Sequence, residues 1–176
     1  GHGAVPVAQA ALQAGAERVA VHRLVEALEL RQGGVTAPLL IMGYTPPDGA
    51  LAVVRNHLTP SVISLEFARQ LAQHARSEGV EVPVHIKVDT GMNRYGILPA
   101  AVVGFAAELK RLPGILLEGI FTHFATADWL DQRFLGGWVD SLLMEIVNLW
   151  LTVPHFPLLA VLATLIKLDS PWLLAL

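Results

Sequence analysis

A short segment near the middle of the chain constrains the fold more than any other. Residues 84–89 alternate valine or isoleucine with His85, Lys87 and Asp89, a period of two that predicts a β-strand with one apolar and one polar face. Thr90 and Gly91 end this strand, and the glycines at 91 and 96 allow the following loop backbone angles that other residues avoid. The segment therefore predicts a strand that stops abruptly at a glycine-containing loop.

The environment of the polar face has two interpretations. Helical patterns precede and follow the strand, which favours a parallel sheet covered by helices, where a buried histidine, lysine and aspartate are costly unless paired. Alternation is also the ordinary pattern of an antiparallel strand whose polar face meets water. The segment by itself leaves both open.

Strands and helices alternate along the chain as far as His123. Five strands are predicted, at residues 18–22, 38–42, 60–63, 84–89 and 115–122. Helices are predicted at residues 4–14, 25–32, 49–56 and 64–77, and from Pro99 to the Pro113-Gly114 pair. Such repeats can close as an open doubly wound sheet or as a barrel, and periodicity does not choose between them. No Gly-x-Gly-x-x-Gly follows the early strands, so dinucleotide binding has no support.

Composition limits the classes of function. The chain has 176 residues, a formal charge of -3 and no cysteine, so we expect no nucleic-acid partner, no disulfide and no thiolate metal site. No secretory signal is visible at the N-terminus, and the lack of cysteine fits a reducing compartment.

Apolar residues concentrate in the tail, residues 135–176. Residues 146–166 carry no formal charge, a length that could cross a bilayer, but Asn148, Thr152 and the segment Pro154-His155-Phe156-Pro157 interrupt the run. We therefore expect a buried helix over residues 132–151 and a buried strand over residues 156–162 rather than a membrane span.

Three segments resemble bacterial alanine racemases. Residues 87–96, Lys-Val-Asp-Thr-Gly-Met-Asn-Arg-Tyr-Gly, resemble the signature of that family. Gly1-His2-Gly3-Ala4 resembles the residues directly after its cofactor lysine motif, and residues 119–128 resemble its sixth barrel strand and loop. The likeness is strong over residues 1–128 and patchy over 129–176. Other barrel proteins that use pyridoxal phosphate, including decarboxylases, fit residues 87–96 less well.

The resemblance implies an α/β fold, a (β/α)8 TIM-type barrel with its active site at the C-terminal ends of the strands. We expect residues 1–176 to form a partial barrel domain with about six of the eight strands. The first strand, the last strand and the C-terminal β-domain of the family are expected to be missing. Residues 159–166 contain no asparagine or serine, although the family places an Asn-Ser segment there that helps to hold the cofactor phosphate.

The resemblance also implies an activity: racemisation of alanine with pyridoxal 5'-phosphate (PLP), which supplies D-alanine for peptidoglycan. The family forms homodimers and moves the α-proton with a lysine and a tyrosine. Neither base matches a position of this chain, so we expect the chain alone to be inactive or nearly so, with doubtful PLP binding. The alternative is a non-catalytic barrel core, truncated or redesigned, whose apolar tail self-associates or contacts a membrane.

Three positions match residues that surround the cofactor in the family, and a fourth candidate, Met42, lies at the end of a predicted strand. Arg94 matches the arginine facing the cofactor's phenolic oxygen and the substrate carboxylate, and Lys87 matches a lysine that is often carbamylated and braces it. His123 matches a histidine behind the cofactor ring, and Met42 is expected to touch the ring. The alternatives are solvated cations for Arg94 and Lys87, and ordinary loop or core residues for His123 and Met42. No metal site is predicted.

Overall fold

The structure, a computed structural model, describes residues 2–125, and these alternate between helix and strand as predicted. The five strands are β1 (Val19–Val21), β2 (Leu39–Ile41), β3 (Thr59–Val62), β4 (Val82–Val88) and β5 (Ile115–Thr122). The five α-helices are α1 (Ala4–Gln13), α2 (Leu24–Gln32), α3 (Ala50–Arg55), α4 (Leu65–Glu78) and α5 (Val102–Lys110). Short 3-10 turns at Pro47–Gly49 and Pro99–Ala101 lead into α3 and α5.

Helix α4 shows how local sequence sets the element boundaries. The Ser64 hydroxyl accepts a hydrogen bond from the Phe67 backbone N–H and caps the first turn. At the other end Gly79 adopts a left-handed conformation with φ 68°, which a residue with a side chain enters at a cost. Both positions were predicted from sequence, and the observed helix begins and ends beside them.

The strand order identifies the type of closure. All five strands are parallel and lie in chain order, β1-β2-β3-β4-β5. Crossovers between parallel strands are almost always right-handed, so four crossovers in the same direction place every connecting helix on one face of the sheet. The helices α3, α4 and α5 accordingly contact one another in sequence. In a doubly wound sheet the strand order reverses part-way, with helices on both faces. The order β1-β2-β3-β4-β5 has no such reversal, so the fold is the TIM-barrel-like one.

The hydrophobic core fills the space between this sheet and its helices. From β4, Val84 and Ile86 are at most 1% exposed and pack in the same cluster as Phe67 and Leu71 of α4. Burial of such large side chains contributes about 1.5–3 kcal/mol each. The apolar face of the predicted alternation is therefore the face that the helices cover.

The polar face of β4 is buried too. His85 and Lys87 are each 5% exposed, although they point away from the helices. Strand β4 pairs in parallel with β3 on one side and β5 on the other. The alternative of an antiparallel strand with a wet polar face is therefore wrong, and the histidine and lysine lie inside the barrel-like sheet.

An ion pair spans the inner face from the first strand to the fifth. The Arg18 guanidinium, which precedes β1, lies 2.8 Å from a carboxylate oxygen of Glu118 in β5. In a flat sheet these strands would lie about 19 Å apart, four spacings of about 4.8 Å, which is more than both extended side chains can bridge. The sheet must therefore curl. Glu118 is also the extra residue of a β-bulge opposite β4, a feature that increases twist.

The same carboxylate holds the buried histidine. The other oxygen of Glu118 lies 3.2 Å from His85 Nε2, while His85 Nδ1 has no hydrogen-bond partner within residues 2–125. Burial lowers the pKa of His85, and the bond to Glu118 only partly opposes this. The hydrogen bond from Arg18 is the main cause that lowers the pKa of Glu118. The arrangement fits a neutral histidine that donates from Nε2 to a charged carboxylate.

Several sequence predictions fall outside the described residues. Five strands lie within residues 2–125, against about six predicted for the whole chain. The helix at 132–151, the strand at 156–162 and the apolar tail all lie beyond the described range. Among the helices of residues 2–125, none has the length and apolar character of a membrane span.

The buried histidine predicts a loss of stability in mild acid. A histidine whose folded pKa lies below its unfolded value of about 6.5 contributes stability that is complete above that pH and is lost as pH falls through the folded pKa. The free energy of unfolding should therefore decrease as pH falls below about 7 and through the folded pKa of His85. His85→Gln keeps an Nε2–H donor for Glu118 but cannot titrate, so its stability should decrease less. Urea unfolding at several pH values measures both slopes.

The matched control is His74→Gln, which removes an imidazole from α4 on the helical side of the sheet. It should keep the pH dependence of the unsubstituted chain. Equal slopes for the unsubstituted chain and His85→Gln would contradict the prediction.

Candidate active site

The predicted site residues lie along one edge of the sheet. Met42 directly follows β2, Lys87 is the second-last residue of β4, and His123 directly follows β5. Because the strands are parallel, these positions share the edge where their C-terminal ends meet. Arg94 lies in the loop that leaves β4 at the same edge.

That loop, residues 89–97, is closed at its base by backbone hydrogen bonds. The Ile97 N–H donates to the Lys87 carbonyl at 2.8 Å, and the Asp89 N–H donates to the Ile97 carbonyl at 3.0 Å. Gly96 permits this closure: it has φ 152°, and a Cβ there would lie 2.6 Å from the Asp89 nitrogen. The loop therefore leaves the strand and returns to it within a few residues.

Asp89 organises the first half of the loop. Its carboxylate accepts hydrogen bonds from the backbone N–H groups of Gly91 and Asn93, both at 3.0 Å. These bonds lower the pKa of Asp89, so the carboxylate stays charged and bound to the loop. The third polar residue of the β4 alternation thus pairs with backbone amides.

Lys87 lies in a slot between two aromatic rings. Its Nζ is 4.3 Å from the ring centroid of Tyr95 and 5.4 Å from that of Phe121. Within residues 2–125 no carboxylate forms an ion pair with it. Burial lowers the pKa of Lys87, the positive charge of Arg94 lowers it further, and Asp89 partly opposes both. The interpretation of Lys87 as a solvated surface cation is therefore wrong.

Arg94 is exposed at the tip of the same loop. It forms no ion pair with any carboxylate in the described range 2–125, so its five N–H donors are available to a ligand. Burial is the main cause that lowers the pKa of Lys87, and the positive charge of Arg94 contributes in the same direction. The direct convergence of the two side chains stays a prediction.

Met42 lies across the edge from this loop and is connected to it. The side chain is 39% exposed and outside the buried core, so the interpretation of Met42 as ordinary core is wrong. The Met42 backbone carbonyl accepts a hydrogen bond from the Tyr95 hydroxyl, between residues 53 positions apart. Sequence reasoning missed Tyr95. The available signal was an aromatic residue beside Arg94 in a loop that follows a buried lysine.

His123 is exposed at the end of β5. The Thr122 hydroxyl donates to the Val88 carbonyl at 2.9 Å and lies 2.8 Å from the Thr90 hydroxyl, which joins the ends of β4 and β5. No hydrogen bond connects His123 to Met42, Lys87 or Arg94 within the described part of the chain. The structure therefore places His123 on the same edge without bringing it into contact by hydrogen bonding.

The site as described is suited to binding anions. It presents an exposed guanidinium, a buried amine and an apolar methionine side chain at one edge. No cluster of three histidine, cysteine or acidic side chains that could hold a metal is found among residues 2–125. The chemistry that such a set can supply is orientation and charge neutralisation.

Comparison with known proteins gives consistent relatives. The sequence profile described as "Alanine racemase, N-terminal domain" matches residues 1–136. Alanine racemase from Desulfovibrio desulfuricans is 46% identical over 134 residues, and that from Methanococcus maripaludis is 44% identical over 135. Each match covers 76% of this chain and 36% of the relative, so the chain spans about a third of their length.

Solved structures agree with the sequence relatives. An alanine racemase from Clostridium difficile superposes with a TM-score of 0.73 at 43% identity, covering 76% of this chain and 36% of that one. A histidine racemase from Leuconostoc mesenteroides superposes with a TM-score of 0.70 at 29% identity, covering 89% and 41%. The profile, the relatives and the superposed structures each match most of the chain. This chain therefore belongs to the alanine racemase family, and its residues 1–136 match the N-terminal domain of that family.

Proposed function

We propose that this chain supplies the cofactor- and substrate-binding edge of a PLP-dependent alanine racemase. The observation that carries the proposal is a buried lysine without a carboxylate partner in residues 2–125, beneath a loop that presents an arginine to solvent. A buried amine with a perturbed pKa at the C-terminal edge of a barrel-like sheet is typical of functional sites rather than of structural ones.

The residues at this edge fit one side of PLP. The cofactor carries a phenolic oxygen and a phosphate, and an unpaired guanidinium is a suitable donor to such oxygens. We assign Arg94 to the phenolic oxygen, Met42 to the ring face and His123 to the network behind the ring. When bound, PLP supplies the electron-accepting ring that stabilises negative charge on the α-carbon of an amino acid.

The substrate role of this edge is binding and orientation. Arg94 would also hold the alanine carboxylate, because a planar, permanently charged fork fits two oxygens at once. The two bases of the family match no position of this chain, so we assign proton transfer to neither Lys87 nor His123. The described residues would bind and orient, and the remainder of the enzyme would move the proton.

Alanine is the substrate that we favour. The relatives at 41–46% identity are named alanine racemases, whereas the histidine racemase is 29% identical. A structure from Bacillus anthracis that superposes with a TM-score of 0.71 at 37% identity is described with bound L-Ala-P. The chain spans only 36% of the length of the Desulfovibrio desulfuricans alanine racemase. We therefore propose the reaction, the homodimer and the cytoplasmic supply of D-alanine for the whole protein rather than for this chain alone.

The assignment of Arg94 predicts a binding defect. Arg94→Gln removes a charged hydrogen-bond donor worth about 1.5–3 kcal/mol, so the Kd for PLP should rise about 10- to 100-fold. Titration of the chain with PLP, followed by absorbance and fluorescence, measures both Kd values. The control is Arg69→Gln on the exposed side of α4, which should leave the Kd unchanged. The absence of saturable binding, or equal Kd values for both variants, would contradict the proposal.

We further propose that Lys87 is carbamylated in the working protein. An ammonium beside the Arg94 guanidinium is repelled by it, and burial already lowers the pKa of Lys87. The neutral amine can add to carbon dioxide, forming a nitrogen–carbon bond and releasing one proton. The product carries a negative charge, which would replace the repulsion of Arg94 by an attraction.

Carbamylation predicts a specific NMR signal. With 13C-bicarbonate at neutral pH, the chain should give a carbamate carbon resonance that disappears when the carbon dioxide is removed and in Lys87→Met. Lys110→Met is the matched control, because Lys110 is exposed at the end of α5, and the resonance should persist in that variant. A carbamate signal that survives Lys87→Met, or no such signal in the unsubstituted chain, would show that Lys87 is not carbamylated.

A further inference from the structure

One side chain joins three of the residues at this edge. The Tyr95 hydroxyl donates to the Met42 carbonyl after β2, and the Tyr95 ring lies 4.3 Å below Lys87 Nζ in β4. Tyr95 is also the residue next to Arg94 in the loop. Tyr95 therefore contacts residues of two strands, β2 and β4, that are not neighbours in the sheet because β3 lies between them.

The tip of the loop depends on this contact. Residues 92–96 form the tip, and the base below them is held by the backbone bonds of Asp89 and Ile97. Among the hydrogen bonds that the tip makes within residues 2–125, the one from the Tyr95 hydroxyl is the one that reaches a different strand. A loop held at its base and at one distant point has little freedom to move its tip.

The aromatic slot around Lys87 depends on the same contact. The ring of Phe121 projects from β5 and forms the second wall, 5.4 Å from Nζ. Tyr95 forms the first wall from a loop, so its ring position is fixed by the loop and by its hydroxyl bond. Burial raises the pKa of the Tyr95 phenol, so the hydroxyl keeps its proton at neutral pH and remains a donor.

We propose that Tyr95 is a positioning residue for this site. Its hydroxyl bond to the Met42 carbonyl holds its ring against Lys87 and keeps Arg94 at the C-terminal edge of the sheet, across from Met42. The inference rests on the proposed function only for the identity of the ligand that this edge binds. The role of the hydroxyl in holding the ring on Lys87 is a property of the chain without any ligand.

Loss of the hydroxyl has a defined consequence for the lysine. With the bond intact, the ring excludes water from Nζ, which disfavours the ammonium, while the ring face attracts it. Without the bond, the ring can move away and water reaches Nζ. The apparent pKa of Lys87 should then rise toward the usual lysine value, and its ε-methylene protons should lose the shielding that a nearby ring face gives.

Lysine-selective NMR tests this directly. The chain has three lysines, Lys87, Lys110 and Lys167, so labelling with 13Cε-lysine gives three signals that single Lys→Arg substitutions assign. Buffers without PLP and stripped of carbon dioxide make the outcome independent of cofactor binding and of carbamylation. We expect Lys87 to be the upfield-shifted signal with a lowered titration midpoint.

Two substitutions separate the hydroxyl from the ring. Tyr95→Phe keeps the ring and removes the bond to Met42, and the Lys87 proton shift should move downfield while its titration midpoint rises. Tyr95→Leu removes the ring as well, so the Lys87 protons should lose the shielding that the Tyr95 ring gives. Tyr44→Phe is the control: Tyr44 is exposed on the neighbouring loop and its hydroxyl bonds to nothing within residues 2–125, so Lys87 should not change.

Far-ultraviolet circular dichroism reports whether a variant has folded, and the signal of Lys110, on α5 away from the slot, should stay unchanged in every folded variant. An unchanged Lys87 shift and midpoint in a folded Tyr95→Phe would overturn the proposal. So would an equal change in Tyr44→Phe. Failure of PLP to bind the unsubstituted chain would instead contradict the proposed function and leave these spectra as the test of Tyr95.

Discussion

The burial of an amine without a carboxylate partner in residues 2–125 is the constraint on which this edge of the protein depends. Lys87 is 5% exposed, and removing an ammonium from water without compensation costs several kcal/mol. Two ring faces return part of that cost, about 0.5–2 kcal/mol for a desolvated contact. The remainder is relieved when Nζ gives up its proton, which is the direction in which burial and Arg94 move its pKa.

Two residues earlier on the same strand, the protein solves the same problem differently. His85 also points inside the sheet, but it bonds to Glu118, whose charge Arg18 neutralises from the far side of the sheet. That layer is nearly complete: within residues 2–125, His85 Nδ1 is its one unpaired buried atom. The paired charges around His85 stabilise the curved sheet. Lys87, which has no such partner in residues 2–125, is instead the kind of perturbed group that is typical of functional sites. The stabilising residue His85 and the candidate site residue Lys87 are thus only two positions apart on the same face of β4.

Much of this could be predicted from sequence because local patterns determine it. The strand at β4, the capped helix α4 and the order of elements follow from periodicity and from the residues at their ends. The choice between a barrel and an open sheet does not follow from periodicity, since both folds share the same alternation of strands and helices and differ in the direction of the crossovers. The burial of Lys87 could not be predicted either, because the same alternation fits a strand with a wet face.

The contacts that the sequence could not predict join distant residues. Arg18 and Glu118 are 100 positions apart, and Tyr95 and Met42 are 53 apart. Neither pair has a spacing rule, because the curl of the sheet brings the first together and the closure of the loop at 89–97 the second. The resemblance to a family identified Arg94 and Lys87, yet it gave no role to Tyr95, which contacts Lys87 through its ring.

The difference between lysine and arginine explains the order of the two cations at this edge. Arginine does not lose its proton in proteins, so a guanidinium at position 87 would remain charged in a dry slot beside a second cation. Lysine can become a neutral amine there, and the neutral form neither repels Arg94 nor requires a carboxylate. At the exposed position 94 the requirement is reversed, since a permanent charge with fixed donors costs little in water and remains able to donate hydrogen bonds to an anion. The inner cation must be able to discharge, and the outer one must not.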